Sequence, residues 1–237
     1  MFPFGGWQMP VPRQRNGQAT KGHRESNLYF QPFRRYSRDV KPVRRPKKSG
    51  PPRVAIAISI LAGGLSTRMG RDKAKLRFGR RTMLGHVRAV ASELGRPVRV
   101  IRRDLVARCG PLGGIYTALR TSRADAELFL ACDMPFVTLG LFRDIMAKLS
   151  PSRLAVFAVV DGTAGFPFAV QTEALPVIEQ QMALGDFSLQ KLAIALKARR
   201  SRIPKTRQWE VQNINTPEEW REVLKVHRAR RSAVRTA

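Results

Sequence analysis

The sequence predicts an α/β fold in which a mostly parallel sheet is covered by helices on both faces. Three observations predict it. From residue 54 onward, apolar strand-like runs alternate with segments of helical period. The first run, Val54 to Leu61, stops abruptly at a glycine-rich turn, the place where open α/β sheets hold their ligands. With 237 residues and 43% hydrophobic content, the chain can also bury a full core.

The elements follow in order. Val54 to Leu61 reads as a buried strand by its length and unbroken apolar character. Thr82 to Leu94 sets Met83, Leu84, Val87, Val90, Ala91 and Leu94 on one helical face, and Val98 to Ile101 is a short strand. A helix after Gly113 and Gly114, Ile115 to Leu119, leads to a strand at Leu128 to Cys132. A helix at Leu139 to Leu149 and a strand at Leu154 to Val160 come next. Further on, the pattern predicts a strand near Phe168 to Gln171, helices near Leu175 to Ala183 and Ser188 to Leu196, and a strand near Val211 to Ile214. The last helix has a marked start, with Thr216 as N-cap, Pro217 in the first turn and Glu219 completing a capping box.

Charge sets the partner class. Forty-four Lys and Arg against 17 Asp and Glu give a net charge of +27, so the substrate or partner is anionic. The excess is densest at the ends. Residues 1 to 53 hold 13 basic and two acidic side chains, and residues 228 to 237 hold four arginines and no acid. Residues 1–52 lack both the 3.6 and the 2.0 period and read as a disordered basic tail. The domain then occupies 53–226, and 227–237 form a basic C-terminal tail. Aromatics interleaved with the basic residues of the first tail suit weak nucleic-acid binding.

Cys109 and Cys132 form no CxxC and have no His pair beside them, which predicts a reduced, cytoplasmic protein without a zinc site. No stretch reaches the roughly 18 apolar residues that span a bilayer, and the N-terminus shows no signal-peptide core, so no membrane segment is expected.

The glycine turn carries the chemistry. It reads Leu61-Ala62-Gly63-Gly64-x-Ser66-x-Arg68-Met69-Gly70-x-Asp72-Lys73. A phosphate-binding P-loop needs a lysine directly after its last glycine, and here Arg71 follows Gly70. The GxGxxG dinucleotide fingerprint is absent too. What remains is a strand-end turn that lets backbone N–H groups approach an anion, with Arg68 and Lys73 adding charge where a triphosphate would lie. Asp133 follows an apolar strand and precedes Pro135, so its carboxylate stands beside the turn, where it can hold a Mg²⁺ that bridges reacting phosphates.

This pattern resembles the signature of the molybdenum cofactor guanylyltransferases, the MobA-like family. Three further motifs fall in the family's order: "CGPLGG" (109 to 114), "ACDMPF" (131 to 136) and "NINTPEE" (213 to 219). The resemblance implies a three-layer, Rossmann-like nucleotidyltransferase domain with Mg²⁺ as cofactor. It implies that GMP passes from GTP to the phosphate of molybdopterin, or of its molybdenum-loaded form, with release of pyrophosphate. It also implies site roles. Lys73, Arg68 and Asp133 are catalytic, and Asp133 is the metal ligand. Leu61, Ala62, Gly63, Gly64, Ser66, Lys73, Asp104 and Asp133 bind the nucleotide. Asn213, Asn215 and Thr216 lie toward the second substrate, although Thr216 is also accounted for as a helix cap. Molybdoenzymes or cofactor-synthesis proteins are the implied protein partners.

One departure bears on base choice. Only "GRPVRVIRR" separates Leu94 from Asp104, without the asparagine loop that family members usually place there, so discrimination between bases is expected to be narrower. Two alternatives stand beside the main reading. One keeps the fold and changes the substrates, to CTP or to a sugar phosphate. The other is a basic nucleic-acid-binding protein. Cys109 and Cys132 are expected to be small buried residues rather than nucleophiles.

Overall fold

A computed structural model describes residues 54–63 and 72–225, and both tails lie outside the described residues. Strand β1 (Ile56–Leu61) is buried along nearly its whole length, because both faces of the sheet are covered. It pairs in parallel with β4 (Val98–Ile101) on one side and with β5 (Ala126–Ala131) on the other. Between them, β2 (Arg77–Phe78) and β3 (Arg81–Thr82) make a small separate hairpin. Among the described residues the main sheet has six strands. Beyond β5 come β7 (Thr163–Gln171), β6 (Ala155–Val160) and the edge strand β8 (Arg199–Arg202). Only β7 runs antiparallel to its neighbours, so the sheet is mostly parallel, as predicted.

Side-chain alternation sorts the helices onto two faces. Ile56, Ile58 and Ile60 point to the face covered by α1 (Met83–Ser92) and α3 (Leu139–Ala147), where they meet Leu84, Val87, Leu141, Phe142 and Ile145. The opposite face is covered by α2 (Gly110–Arg120), α4 (Leu175–Ala183) and α5 (Leu189–Ala195). Its centre is a row of rings at one level of adjacent strands. Phe157 and Phe168 stack at 4.4 Å, and Phe129 and Phe168 at 5.0 Å. Helix α6 (217–225) completes the described chain. Its start is the predicted capping box, with Glu219 N–H donating to Thr216 Oγ1 (3.2 Å) and the Glu219 carboxylate accepting from Thr216 N–H (3.3 Å).

Three expectations are corrected. Helix α2 begins at Gly110 rather than Ile115, because Pro111 lies in its first turn, where a missing N–H costs nothing. Strand β7 begins at Thr163 rather than near Phe168. It forms a hairpin with β6 through Asp161 and Gly162, whose φ angles of 47° and 82° suit a two-residue turn. The register breaks opposite Phe157 and Ala158, so Phe166 and Pro167 bulge out of the ladder, the position where a strand tolerates proline. No strand forms at Val211 to Ile214. Lys205–Val211 is a 3-10 helix, and the last strand of the sheet is instead the arginine-rich β8.

Exposed cations mark that last edge. Lys197, Arg199, Arg200, Arg202 and Lys205 are all exposed, and none of them is in an ion pair among the described residues.

One charged group among the described residues is buried inside the sheet. The Glu127 side chain is 0% exposed, and its carboxylate accepts from the Arg99 guanidinium (2.7 Å) and the Ser59 hydroxyl (2.9 Å). Arg99 also donates to the Ala118 carbonyl (2.9 Å) and the Thr121 hydroxyl (3.0 Å), tying β4, β1 and β5 to the end of α2. Removing Arg99 strands a buried carboxylate. Arg99→Ala is therefore expected to lower unfolding free energy by about 3 kcal/mol in urea titration, while the double change Arg99→Met with Glu127→Leu recovers most of the loss.

Candidate active site

The C-terminal ends of β1, β4 and β5 open into a cleft of about 1060 Å³. The reason is topological. The chain leaves β1 toward β4 on one face and returns to β5 on the other, so the connections diverge above β1. The floor is closed by two bonds that extend the ladders: Ala62 N–H donates to Ile101 O (2.9 Å) and Cys132 N–H to Leu61 O (3.2 Å). Leu61, Ala62 and Gly63 therefore line the cleft as the sequence predicts. Gly64, Ser66 and Arg68 lie outside the described residues.

Lys73 enters on the short 3-10 helix Lys73–Lys75, which Asp72 caps by accepting from Ala74 N–H (3.0 Å). Its ammonium donates to Asn215 Oδ1 (2.8 Å) and to Asp133 Oδ2 (3.3 Å). Both ends of the ion pair are largely sequestered, with side-chain exposures of 15% for Lys73 and 17% for Asp133. Burial pushes the Asp133 pKa above the usual carboxylate range, and Lys73 opposes that shift. Ile214 N–H donates to the Asp133 carbonyl (2.9 Å), which holds the 213–215 segment against the end of β5. Three stretches far apart in sequence thus meet at one ammonium group.

The remaining candidates take different positions. Asn213 lines the cleft. The Thr216 hydroxyl is engaged at the start of α6. Asp104 opens into the cleft between Gly63 and the first turns of α2, and partial desolvation raises its pKa. No hydrogen bond to its carboxylate is made among the described residues.

The glycines of α2 explain how Asp104 reaches this place. A Cβ at Gly113 would lie 2.7 Å from Asp104 Oδ2 and 3.0 Å from the Val106 carbonyl, and one at Gly114 would lie 3.1 Å from Leu61. These glycines therefore bring the helix against the acidic loop and the end of β1. Thr117 fixes the loop from the same helix, accepting from Leu105 N–H (2.8 Å) while donating to Gly113 O (2.7 Å).

Sequence reasoning did not single out Arg103 and Arg108, which add two cations to the cleft lining, nor Thr117 and Asp72 as supports. A signal existed for Arg108. It stands directly before the CGPLGG motif, and its φ of 62° is unusual for a residue with a side chain.

Asp133 is the one described carboxylate at the Lys73 site that could hold a Mg²⁺ jointly with a substrate. One oxygen of Asp133 is engaged by Lys73. No group of three or more acidic, His or Cys side chains converges among the described residues, so the metal's remaining ligands would be phosphate oxygens and water.

Comparison with known proteins follows the geometry. The model of the MobA-like NTP transferase domain matches residues 58–201. A probable molybdenum cofactor guanylyltransferase of Opitutus terrae is 32% identical over 187 residues, covering 70% of this chain and 93% of that protein. The molybdenum cofactor guanylyltransferase of Syntrophotalea carbinolica is 34% identical over 146 residues, covering 55% and 70%. Among solved structures, molybdopterin-guanine dinucleotide biosynthesis protein A from Archaeoglobus fulgidus aligns with a TM-score of 0.57 at 17% identity, covering 72% of this chain and 97% of that one. A nucleotidyl transferase from Methanothermobacter aligns at 0.58 and 21%, covering 77% and 99%. Both structures share the fold.

Cys109 is a buried packing group, as expected, whereas Cys132 is half-buried and lines the cleft. Burial, followed by the Asp133 carboxylate, pushes the Cys132 thiol up to about 12, and burial followed by Asp104 raises Cys109. Because the thiolate is the reactive form, Cys132 at pH 8 is expected to react with iodoacetamide more than about tenfold more slowly than free cysteine, and faster as pH rises. Peptide-resolved mass spectrometry of a timed alkylation series checks this.

Proposed function

The chain belongs to the MobA-like NTP transferase family and is a nucleotidyltransferase, and from that premise we propose that it transfers GMP from Mg-GTP to molybdopterin. In the proposed reaction a phosphate oxygen of molybdopterin, or of its molybdenum-loaded form, attacks the α-phosphorus of GTP. A new P–O bond forms as the bond between the α-phosphorus and its bridging oxygen breaks, and pyrophosphate leaves.

The observation that carries this reading is the Lys73 ammonium fixed between Asp133 and Asn215 at the mouth of β1 and β5. Phosphoryl chemistry of this kind is mainly alignment and charge neutralisation, so a rigid cation beside a carboxylate is the equipment required. Lys73 takes up charge on the nucleotide phosphates, with Arg68 as a second cation from the glycine turn. Backbone N–H groups at Gly63 and Gly64 and the Ser66 hydroxyl hold phosphate and ribose oxygens, the Ala62 N–H being taken by the Ile101 carbonyl. Asp133 would hold a Mg²⁺, which would supply charge neutralisation for the reacting phosphate and the departing pyrophosphate.

Asp104 is assigned to the base. Its carboxylate accepts hydrogen bonds only, and guanine presents two neighbouring donors, N1–H and the N2 amino group, on one edge. A cleft that opens at the strand ends with unengaged acceptors supports this assignment. Free thiols and the lack of a described helix able to cross a membrane accord with a cytoplasmic enzyme. The dinucleotide product would pass to molybdoenzymes or to other cofactor-synthesis proteins.

The direct test is pyrophosphate release with GTP, CTP and ATP in the presence of molybdopterin and Mg²⁺. GTP is expected to give the highest kcat/KM. CTP as best substrate moves the protein to the cytidylyl branch, and no release with any nucleotide overturns the reading. Asp133→Asn is expected to lower turnover by about two orders of magnitude or more with an unchanged melting profile. Asp104→Ala is expected to reduce kcat/KM for GTP more than for CTP, because the lost acceptor serves two guanine donors; equal losses would remove Asp104 from base reading.

A further inference from the structure

The NINTPEE segment is expected to face the second substrate, yet its hydrogen bonds lead elsewhere. Asn215 Oδ1 accepts from the Lys73 ammonium at 2.8 Å, closer than the 3.3 Å contact to Asp133. The backbone N–H of Asn215 in turn donates to Glu219 Oε2 at 2.6 Å, and the same oxygen accepts from Thr216 N–H at 3.3 Å. On the other side Ile214 N–H holds the carbonyl of Asp133 at 2.9 Å. The first turn of α6 therefore reaches the cleft lysine through one intervening residue.

We propose that Glu219 is a positioning residue for nucleotide binding, acting on Lys73 through Asn215. A lysine ammonium carries three N–H groups on a flexible four-carbon stem, and by itself it is a poorly oriented cation. Two of its N–H groups are taken here by Asp133 and Asn215, from the middle of the chain and from near its end. That fixes the nitrogen and leaves one donor for a nucleotide phosphate oxygen. Asn215 can do this only if its own backbone is held, because residues 212–215 lie outside any helix or strand. Glu219 supplies the hold at Asn215 itself, beside the bond that Ile214 makes to the Asp133 carbonyl.

An ordinary capping box needs its glutamate only for helix stability. In this protein the glutamate also sets the place of a cleft cation. The inference rests on the reading of Lys73 as a phosphate-binding cation, and it gives Asn215 a part in nucleotide binding rather than acceptor binding.

The test is a thermodynamic cycle on the full chain, with Mg-GTP affinity measured by calorimetry. Asn215→Ala and Glu219→Ala are each expected to weaken GTP by about fivefold or more, and Glu219→Gln, which retains an acceptor oxygen, to recover most of that loss. In a Lys73→Met background, Asn215→Ala is expected to add no further loss. Thr216→Ala weakens the same helix start from its other side while leaving Glu219 on Asn215. It is expected to lower the melting temperature as Glu219→Ala does, but to keep GTP affinity nearer the wild-type value.

Losses that add in full to that of Lys73→Met overturn the proposal. So does a raised KM for the pterin acceptor with unchanged GTP affinity, or a loss in Thr216→Ala equal to that in Glu219→Ala. If the wild-type protein binds CTP rather than GTP, the guanine assignment fails alone. The same cycle read with CTP then supports the positioning role if the losses are coupled, and overturns it if they are not.

Discussion

A single ammonium group, held by a carboxylate from the end of β5 and a carboxamide from the loop that precedes α6, is the contact on which the site depends. It joins the chain just past the glycine turn to the DMPF motif in the middle and the NINTPEE motif near the end, two motifs that the bond from Ile214 N–H to the Asp133 carbonyl also ties together. The contact requires the sheet to place the ends of β1 and β5 side by side, and the parallel pairing from Leu61 to Ala131 does so. It also requires the chain beyond β8 to cross back over the strand ends. The 3-10 helix Lys205–Val211 makes that crossing, anchored by Arg207, which bonds Glu210 and Asp144 at 2.7 Å each.

Beneath this site the sheet has its own polar fastening. Arg99, Glu127 and Ser59 form a charged knot inside an otherwise apolar layer, at the opposite side of β1 from the isoleucine row. The knot is costly to bury and more costly to break, so it favours one register of β4, β1 and β5 over slipped alternatives. Register matters at the top of the strands, because a slip of one residue would turn the floor of the cleft over.

Much of this was legible in the sequence, for physical reasons that differ from place to place. Strands β1, β4 and β6 and helix α4 announce themselves by apolar period, and α6 by the Thr216 and Glu219 box. The first half of β7 was hidden because Gly165 and Pro167 weaken the strand pattern, although Asp161-Gly162 carried a hairpin signal. Strand β8 was hidden because an edge strand need bury only Ser201, and "RRSR" shows no alternation of apolar residues. In the site, Lys73, Asp133 and Asn215 could be singled out by motif, but their mutual contact could not, since it depends on a crossing of the chain that no local pattern encodes. Arg103 and Thr117 carry no local mark at all, and Asp72 is marked by its motif but not as the cap of the turn that presents Lys73. Their importance comes from what the fold puts beside them.

The cationic last strand has a consequence for the protein in a crowded solution. A sheet edge is a template for another strand, and a copy of the same chain is always the most available partner. On β8 any approaching copy would bring Arg199, Arg200 and Arg202 against three identical arginines, and Lys197 and Lys205 extend the repulsion beyond both ends of the strand. The positive charge that marks the whole chain thus acts at this edge as a guard against self-templated sheet growth, which keeps a six-stranded sheet from becoming a longer one.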